Sequence, residues 1–317
     1  MKVCELFKKS KKPLFTFEIL PPLKGVNIST IYDAIEPLME FDPAYINVTY
    51  HQQETVYKKR QDGLLEKKVV SKRPGTVAIS AAIKFKYKVE IVPHLICGGF
   101  TKEDTEDALI DLHFLGFNNV LALRGDPPKT ERFFRPEEGG HKYAIDMVKQ
   151  IQQMNKGIYL DSDLQNVTKT DFCVGIAAYP EKHAESPNKE IDMKYLKEKV
   201  DAGADYIVTQ MFFDNNKYYD FVNSCRKEGI NIPIIPGIKP ITSLNDIKSI
   251  PKIFHIDIPY EFMKTIENCK NNKEAAEAGI EWATYQSKEL VKFGVPSIHY
   301  FTIGYSQNIV RIAKEIF

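Results

Sequence analysis

The chain of 317 residues carries 43 basic and 42 acidic side chains, a formal net charge of +1, so the one-sided field expected of a nucleic-acid binder is missing. Hydrophobic residues make up 43% and charged ones 27%, the balance of a globular domain with a sizeable core that needs no metal or disulfide staple. The five cysteines (Cys4, Cys97, Cys173, Cys225, Cys269) sit at no metal-ligand or redox-motif spacing, and no apolar run approaches the ~18 residues of a membrane span or forms a signal-peptide core. Free thiols, a cytoplasmic location and no membrane or nucleic-acid partner are therefore expected.

In chain order, the basic cluster Lys8, Lys9, Lys11 and Lys12 reads as a solvated entry to the first strand. Short, nearly all-apolar runs then alternate with longer amphipathic stretches. The runs cover Leu14–Leu20, Tyr45–Tyr50, Ile91–Cys97, Asn119–Arg124, Phe172–Tyr179, Tyr206–Phe213, Ile232–Lys239 and Ile298–Gly304. Strands apolar on both faces belong to a parallel sheet covered on both sides. Between them, the pattern predicts a helix from Thr101 to Leu115, opened by Thr101 and Asp104 as a variant capping box. A second helix runs from Ile191 to Ala202 and is stopped by Gly203; a third covers Asn272 to Phe293 and ends at Gly294.

Eight such strands with helical crossovers predict an α/β fold, a (β/α)₈ TIM barrel forming a single domain over residues 1–317, with extra helices in the long connections. A doubly wound open sheet is the alternative. Against it, no two glycines stand two residues apart, so there is no dinucleotide-binding GxG.

A barrel carries its site at the carboxyl ends of its strands. Polar residues interrupt the runs at those ends. Glu18 sits between Phe17 and Ile19; Thr49 lies in the second run and His51 just after it; His94 lies in the third; Arg124, Gly125 and Asp126 end the fourth. Tyr179 closes the fifth, with Glu181 and His183 beyond. Gln210 lies in the sixth with Asp214 after it, Lys239 ends the seventh, and the eighth carries Thr302. A buried carboxylate costs several kcal/mol unless paired, so Glu18 reads as functional, and burial suits it to acid catalysis. His94 is as readily a satisfied core histidine, and His183 as readily a surface one. Arg124 and Asp126 can pair with each other, and Asp214 can simply cap a helix. Lys239 offers a Schiff-base lysine, hence a lyase as an alternative; a non-catalytic barrel is another. Metal binding is not expected, since no histidine pair or carboxylate cluster has ligand spacing.

Taken together, several stretches resemble the methylenetetrahydrofolate reductase family. They are FEILPP at 17–22, VTYH at 48–51, PHLICGGF at 93–100, LALRGDPP at 121–128, AAYPEKH at 177–183, DAGADYIVTQMFFD at 201–214, PGIKPI at 236–241 and IHYFT at 298–302. They cover almost the whole chain in order. The resemblance implies a cytoplasmic flavoprotein that binds FAD non-covalently and takes hydride from NADH or NADPH. It would reduce 5,10-methylenetetrahydrofolate to 5-methyltetrahydrofolate by a ping-pong route feeding methionine biosynthesis.

By position, Glu18 would be the general acid and Asp126 would lie by flavin and pterin, its charge easing hydride departure. Gln210 and Tyr305 would join Glu18 and Asp126 in binding substrate. Thr49, His94, Arg124, Gly125, Asp126, Tyr143, Ala144, Tyr179, His183, Asp192 and Lys199 match flavin-binding positions, with Arg124 and Lys199 suited to the pyrophosphate. Tyr195 and Glu198 depart from the family's Asn and Arg beside Lys199, and Tyr305 replaces an arginine. A homo-oligomer, dimer or tetramer, is implied. Eukaryotic relatives add a domain that binds S-adenosylmethionine; with the chain ending at Phe317, no such inhibition is expected.

Overall fold

The structure, a computed structural model, describes residues 1–128, 131, 133–302 and 306–317, apart from the side chain of residue 55. The first half runs α1 (Val3–Lys9), β1 (Leu14–Ile19), α2 (Ser29–Ile35), β2 (Tyr45–Val48), β3 (Glu54–Lys59), β4 (Leu65–Val70), α3 (Thr76–Tyr87), β5 (Glu90–Ile96), α4 (Lys102–Phe114), β6 (Asn119–Leu123) and α5 (Ala144–Met154). The second half runs β7 (Cys173–Ala178), α6 (Lys189–Asp201), β8 (Tyr206–Met211), α7 (Asn215–Lys227), β9 (Ile234–Ile238), α8 (Asp246–Phe254), α9 (Tyr260–Glu267), α10 (Asn272–Phe293), β10 (Ser297–Phe301) and α11 (Gln307–Ile316). A 3₁₀ turn, Glu36–Phe41, extends α2.

Eight strands pair in parallel and close in the order β1-β10-β9-β8-β7-β6-β5-β2. This is the predicted barrel. Side chains alternate across each strand. One set, including Phe17, Ile46, Ile91, Val120, Ile176, Ile207, Ile238 and Tyr300, packs outward against the helices. The other set points inward. At the amino-terminal end of the barrel it forms a floor of Tyr45, Val92, Leu121, Cys173, Tyr206, Val208 and Ile235.

Two elements differ from the sequence reading. Lys8, Lys9, Lys11 and Lys12 are all exposed, as a solvated entry requires, but the stretch before β1 also forms a helix, α1, in which wholly buried Val3, with Cys4, Leu6 and Phe7 behind it, packs onto the barrel floor. Its amide is held there by Asn119 Oδ1 at 2.7 Å. Only Lys8 and Lys9 fall in its last turn, where cations suit the helix dipole. The second addition is the antiparallel hairpin β3–β4, after β2. The predicted helices appear within a residue or two. Thr101 and Asp104 form a full, reciprocal capping box on α4. No helix among the described residues is long and apolar enough to cross a membrane.

Candidate active site

Inward alternation on β1 places Thr16 and Glu18 inside the barrel, with Glu18 in register with Asn47 on β2 and Phe301 on β10. Its side chain is 16% exposed. Two imidazoles face it. His94 Nε2 on β5 lies 4.0 Å from Glu18 Oε2, and His299 Nε2 on β10 lies 3.7 Å away. Neither distance is a hydrogen bond, and both nitrogens are buried without a partner. Burial, outweighing the attraction of Glu18, pushes the His94 pKa down to about 4, so this ring is uncharged at neutral pH. The Thr302 hydroxyl donates to the Glu18 carbonyl at 2.7 Å and pins the end of the strand.

A second group lies along the ends of β6 and β7. Arg124 does not pair with Asp126. Its guanidinium instead grips Glu185 through two bonds of 2.5 and 2.8 Å, with its plane 5.0 Å from the Phe134 ring centre. Burial opposes the Arg124 charge, but Glu185 outweighs it and raises the pKa. Gly125 follows with φ 85°, where a Cβ would also press on Ile96; the glycine turns the chain so that Asp126 is carried out to the surface. There Gln52 Nε2 donates to the Asp126 carbonyl at 2.6 Å.

Tyr179 meets His183 edge-on, 4.6 Å between ring centres. Burial, with the charge of Asp126, pushes the phenol to about 12. His183 is no surface histidine: its amide donates to Asp192 at 3.0 Å, and burial followed by the Arg124 charge lowers its pKa. Asp192 also accepts the Ser186 hydroxyl at 2.7 Å. From α6, Lys199 reaches the Ala177 carbonyl at 2.8 Å, and burial lowers its pKa to about 8 against the pull of Asp192.

The remaining expected residues lie apart. Thr49 Oγ1 is buried and unpartnered at the end of β2. Tyr143 and Ala144 open α5, where Asp146 accepts the Tyr143 amide at 3.0 Å; no hydrogen bond among the described residues ties them to either group. Gln210 turns its Oε1 back onto the Met211 amide at 2.9 Å. Asp214 caps α7 through the Asn216 amide. Lys239 lines a cavity of about 280 Å³ with Asp246, Ile250 and Thr302, and its Nζ lies 3.4 Å from the Pro240 carbonyl. Tyr195 is exposed on α6 and Glu198 lies on the same helix. Tyr305 lies outside the described residues.

Sequence reasoning missed His299, Glu185 and Gln52. For His299 a signal existed: it alternates with Phe301 and so shares the inward face of β10. Glu185 and Gln52 lie in loops, where no period marks direction.

A closed α/β barrel with ionisable groups gathered at its strand carboxyl ends is the architecture of the barrel enzymes. Within that class the chain belongs to the methylenetetrahydrofolate reductase family, whose family model matches residues 3–316. It is 31% identical over 329 residues to methylenetetrahydrofolate reductase (NADH) 1 of Arabidopsis thaliana, covering 100% of this chain and 51% of that one. To 5,10-methylenetetrahydrofolate reductase of Salmonella typhimurium it is 28% identical over 302 residues, 95% of this chain and 90% of that one. The chain thus spans about half the length of the plant relative and most of the bacterial one. Among solved structures, a Clostridium thermocellum protein described as binding two copies of 5-methyl-5,6,7,8-tetrahydrofolic acid superposes with a TM-score of 0.59 at 14% identity, over 98% of this chain and 97% of that one. That last likeness concerns the fold alone.

Proposed function

We propose that residues 1–317 act as one flavin-binding catalytic barrel that reduces 5,10-methylenetetrahydrofolate to 5-methyltetrahydrofolate with NADH or NADPH, in the cytoplasm and as a homo-oligomer, feeding methionine synthesis. The observation that carries this reading is Glu18: a carboxyl group inside the barrel, facing two imidazole nitrogens that make no hydrogen bond of their own. The names of the plant and bacterial relatives supply the reaction.

The residues present suit FAD. Thr49 Oγ1 and His94 Nε2 are buried polar atoms with no partner among the described residues, a cost that a flavin's ring edge would relieve. Arg124 and Lys199 are cations near the same strand ends, suited to a pyrophosphate. Held there, FAD would supply the hydride-transfer chemistry that links the nicotinamide to the folate carbon.

The chain's own part is proton handling and positioning. Glu18 gives its proton to the bridging nitrogen of the folate, whose ring opens to an iminium; the carboxylate left behind regains a proton from water at the mouth. Asp126 places a negative charge beside the reacting rings. Gln210, released from the Met211 amide, orients folate and nicotinamide in turn. Arg124 exchanges part of its grip on Glu185 for phosphate oxygens; since Glu185 is 47% exposed, that pairing contributes less than ~1 kcal/mol to stability and gives way cheaply.

Purified protein is expected to be yellow and to bleach anaerobically with NAD(P)H. Glu18→Gln should retain flavin and bleaching while folate reduction falls by at least ~100-fold. Full folate turnover by that variant removes Glu18 as the acid, and a colourless protein that takes up no flavin refutes the cofactor.

A further inference from the structure

His299 is wholly buried, and its Nδ1 lies 3.1 Å from Thr16 Oγ1. The same Thr16 oxygen lies 3.2 Å from the Ile298 carbonyl, which can only accept. A hydroxyl has one proton to give. Given to Ile298, it leaves the Thr16 oxygen free to accept Nδ1–H, and both contacts are hydrogen bonds. Given to Nδ1, it forfeits the Ile298 bond and turns an Nε2–H toward an oxygen 3.7 Å off, beyond bonding reach. Two bonds oppose one. Ser297 Oγ, 3.4 Å from Thr16 Oγ1, directs its own proton to the Leu14 carbonyl at 2.9 Å, so it too only accepts from Thr16.

We infer that His299 is a positioning residue for Glu18: Thr16 holds it as the Nδ1–H tautomer, so that a bare Nε2 lone pair, and no N–H, faces the carboxyl group across 3.7 Å. The other titratable groups facing Glu18 are His94 on β5, 4.0 Å away, and His51 after β2, itself flanked by Arg73, Asp126 and Glu54. The inference deepens the function proposed above and rests on it only for what receives the proton.

Ring-¹⁵N NMR of the protein as isolated reads the tautomer, with the His299 signal assigned by its loss in His299→Gln. Nδ1 is expected to be protonated and Nε2 to be bare. Thr16→Val, which removes the group that fixes the tautomer, should give a mixture. In single turnovers, His299→Phe should slow folate reduction by roughly tenfold or more, while NAD(P)H bleaching stays within about twofold. His299→Gln, whose amide oxygen can accept in place of Nε2, should recover part of the rate. An Nε2–H tautomer in the wild-type protein overturns the inference even if His299→Phe does not fold. So does an unchanged rate of folate reduction in a folded, flavin-loaded His299→Phe. Full turnover by Glu18→Gln alongside the expected tautomer would refute the proposed function and leave the pairing standing.

Discussion

Lys199 extends from α6 into the barrel wall until its ammonium meets the Ala177 carbonyl. Burial sets its pKa at about 8, below the ordinary 10.5. The sign follows from linkage: the folded lysine releases its proton first, so burying the charge costs stability below pH 8, and that cost is relieved between about 8 and 10.5. Binding of a pyrophosphate needs the charged form. The dissociation constant for FAD, followed by titrating flavin fluorescence, is therefore expected to rise as pH goes from 7 to 9. Lys199→Met should bind roughly tenfold more weakly and show none of this dependence; a pH-dependent Lys199→Met would assign the effect to another group. Arg124 contrasts with it, since Glu185 keeps its charge beyond any working pH.

At the scale of elements, α1 is a plug. Helices this short are marginal alone, and this one exists because Val3 fills the amino-terminal end of the barrel against Tyr45, Tyr206 and Cys173. Val3→Ala should cost about 2 kcal/mol of unfolding free energy in a urea titration, with flavin content unchanged because the mouth lies at the other end. A loss below ~0.5 kcal/mol would mean that the plug is dispensable. Nothing in VCELFKK shows this, because seven residues hold too few turns for a period to stand out. The hairpin was more legible. Asp62-Gly63 is a strong turn signal, and Gly63 takes φ 83° there. The flanking strands carry no apolar-run signal, because the five residues Leu65–Val69 are all exposed. By contrast, α10 appears at its predicted bounds, with Asn271 capping it and Gly294 ending it at φ 88°.

For the whole molecule, closure of the barrel is the governing constraint. Gly175 on β7 leaves room for the Tyr206 ring of the neighbouring strand, and a Cβ there would fall on the phenol carbons. Tyr206 is buried on every side and cannot retreat. Gly175→Ala should therefore destabilise the entire barrel by about 1–3 kcal/mol, with far-ultraviolet circular dichroism and flavin release melting together. Separate transitions would show that the floor and mouth unfold independently.

Eight runs apolar on both faces could satisfy their backbones and bury their side chains in few ways, so the sequence by itself determined a parallel sheet wrapped in helices. Polar interruptions of those apolar runs marked Glu18, His94 and Gln210 as site candidates near the strand ends. Which groups meet was decided only by tertiary structure. Closure pairs the first strand with the last, bringing Thr16 to His299 across 283 positions, and loop geometry gives Arg124 to Glu185, 61 positions on, rather than to nearby Asp126. Alternation fixes the direction of a side chain from local steric rules. Its neighbour depends on which strands become adjacent, and that follows from the free energy of burying the whole core at once.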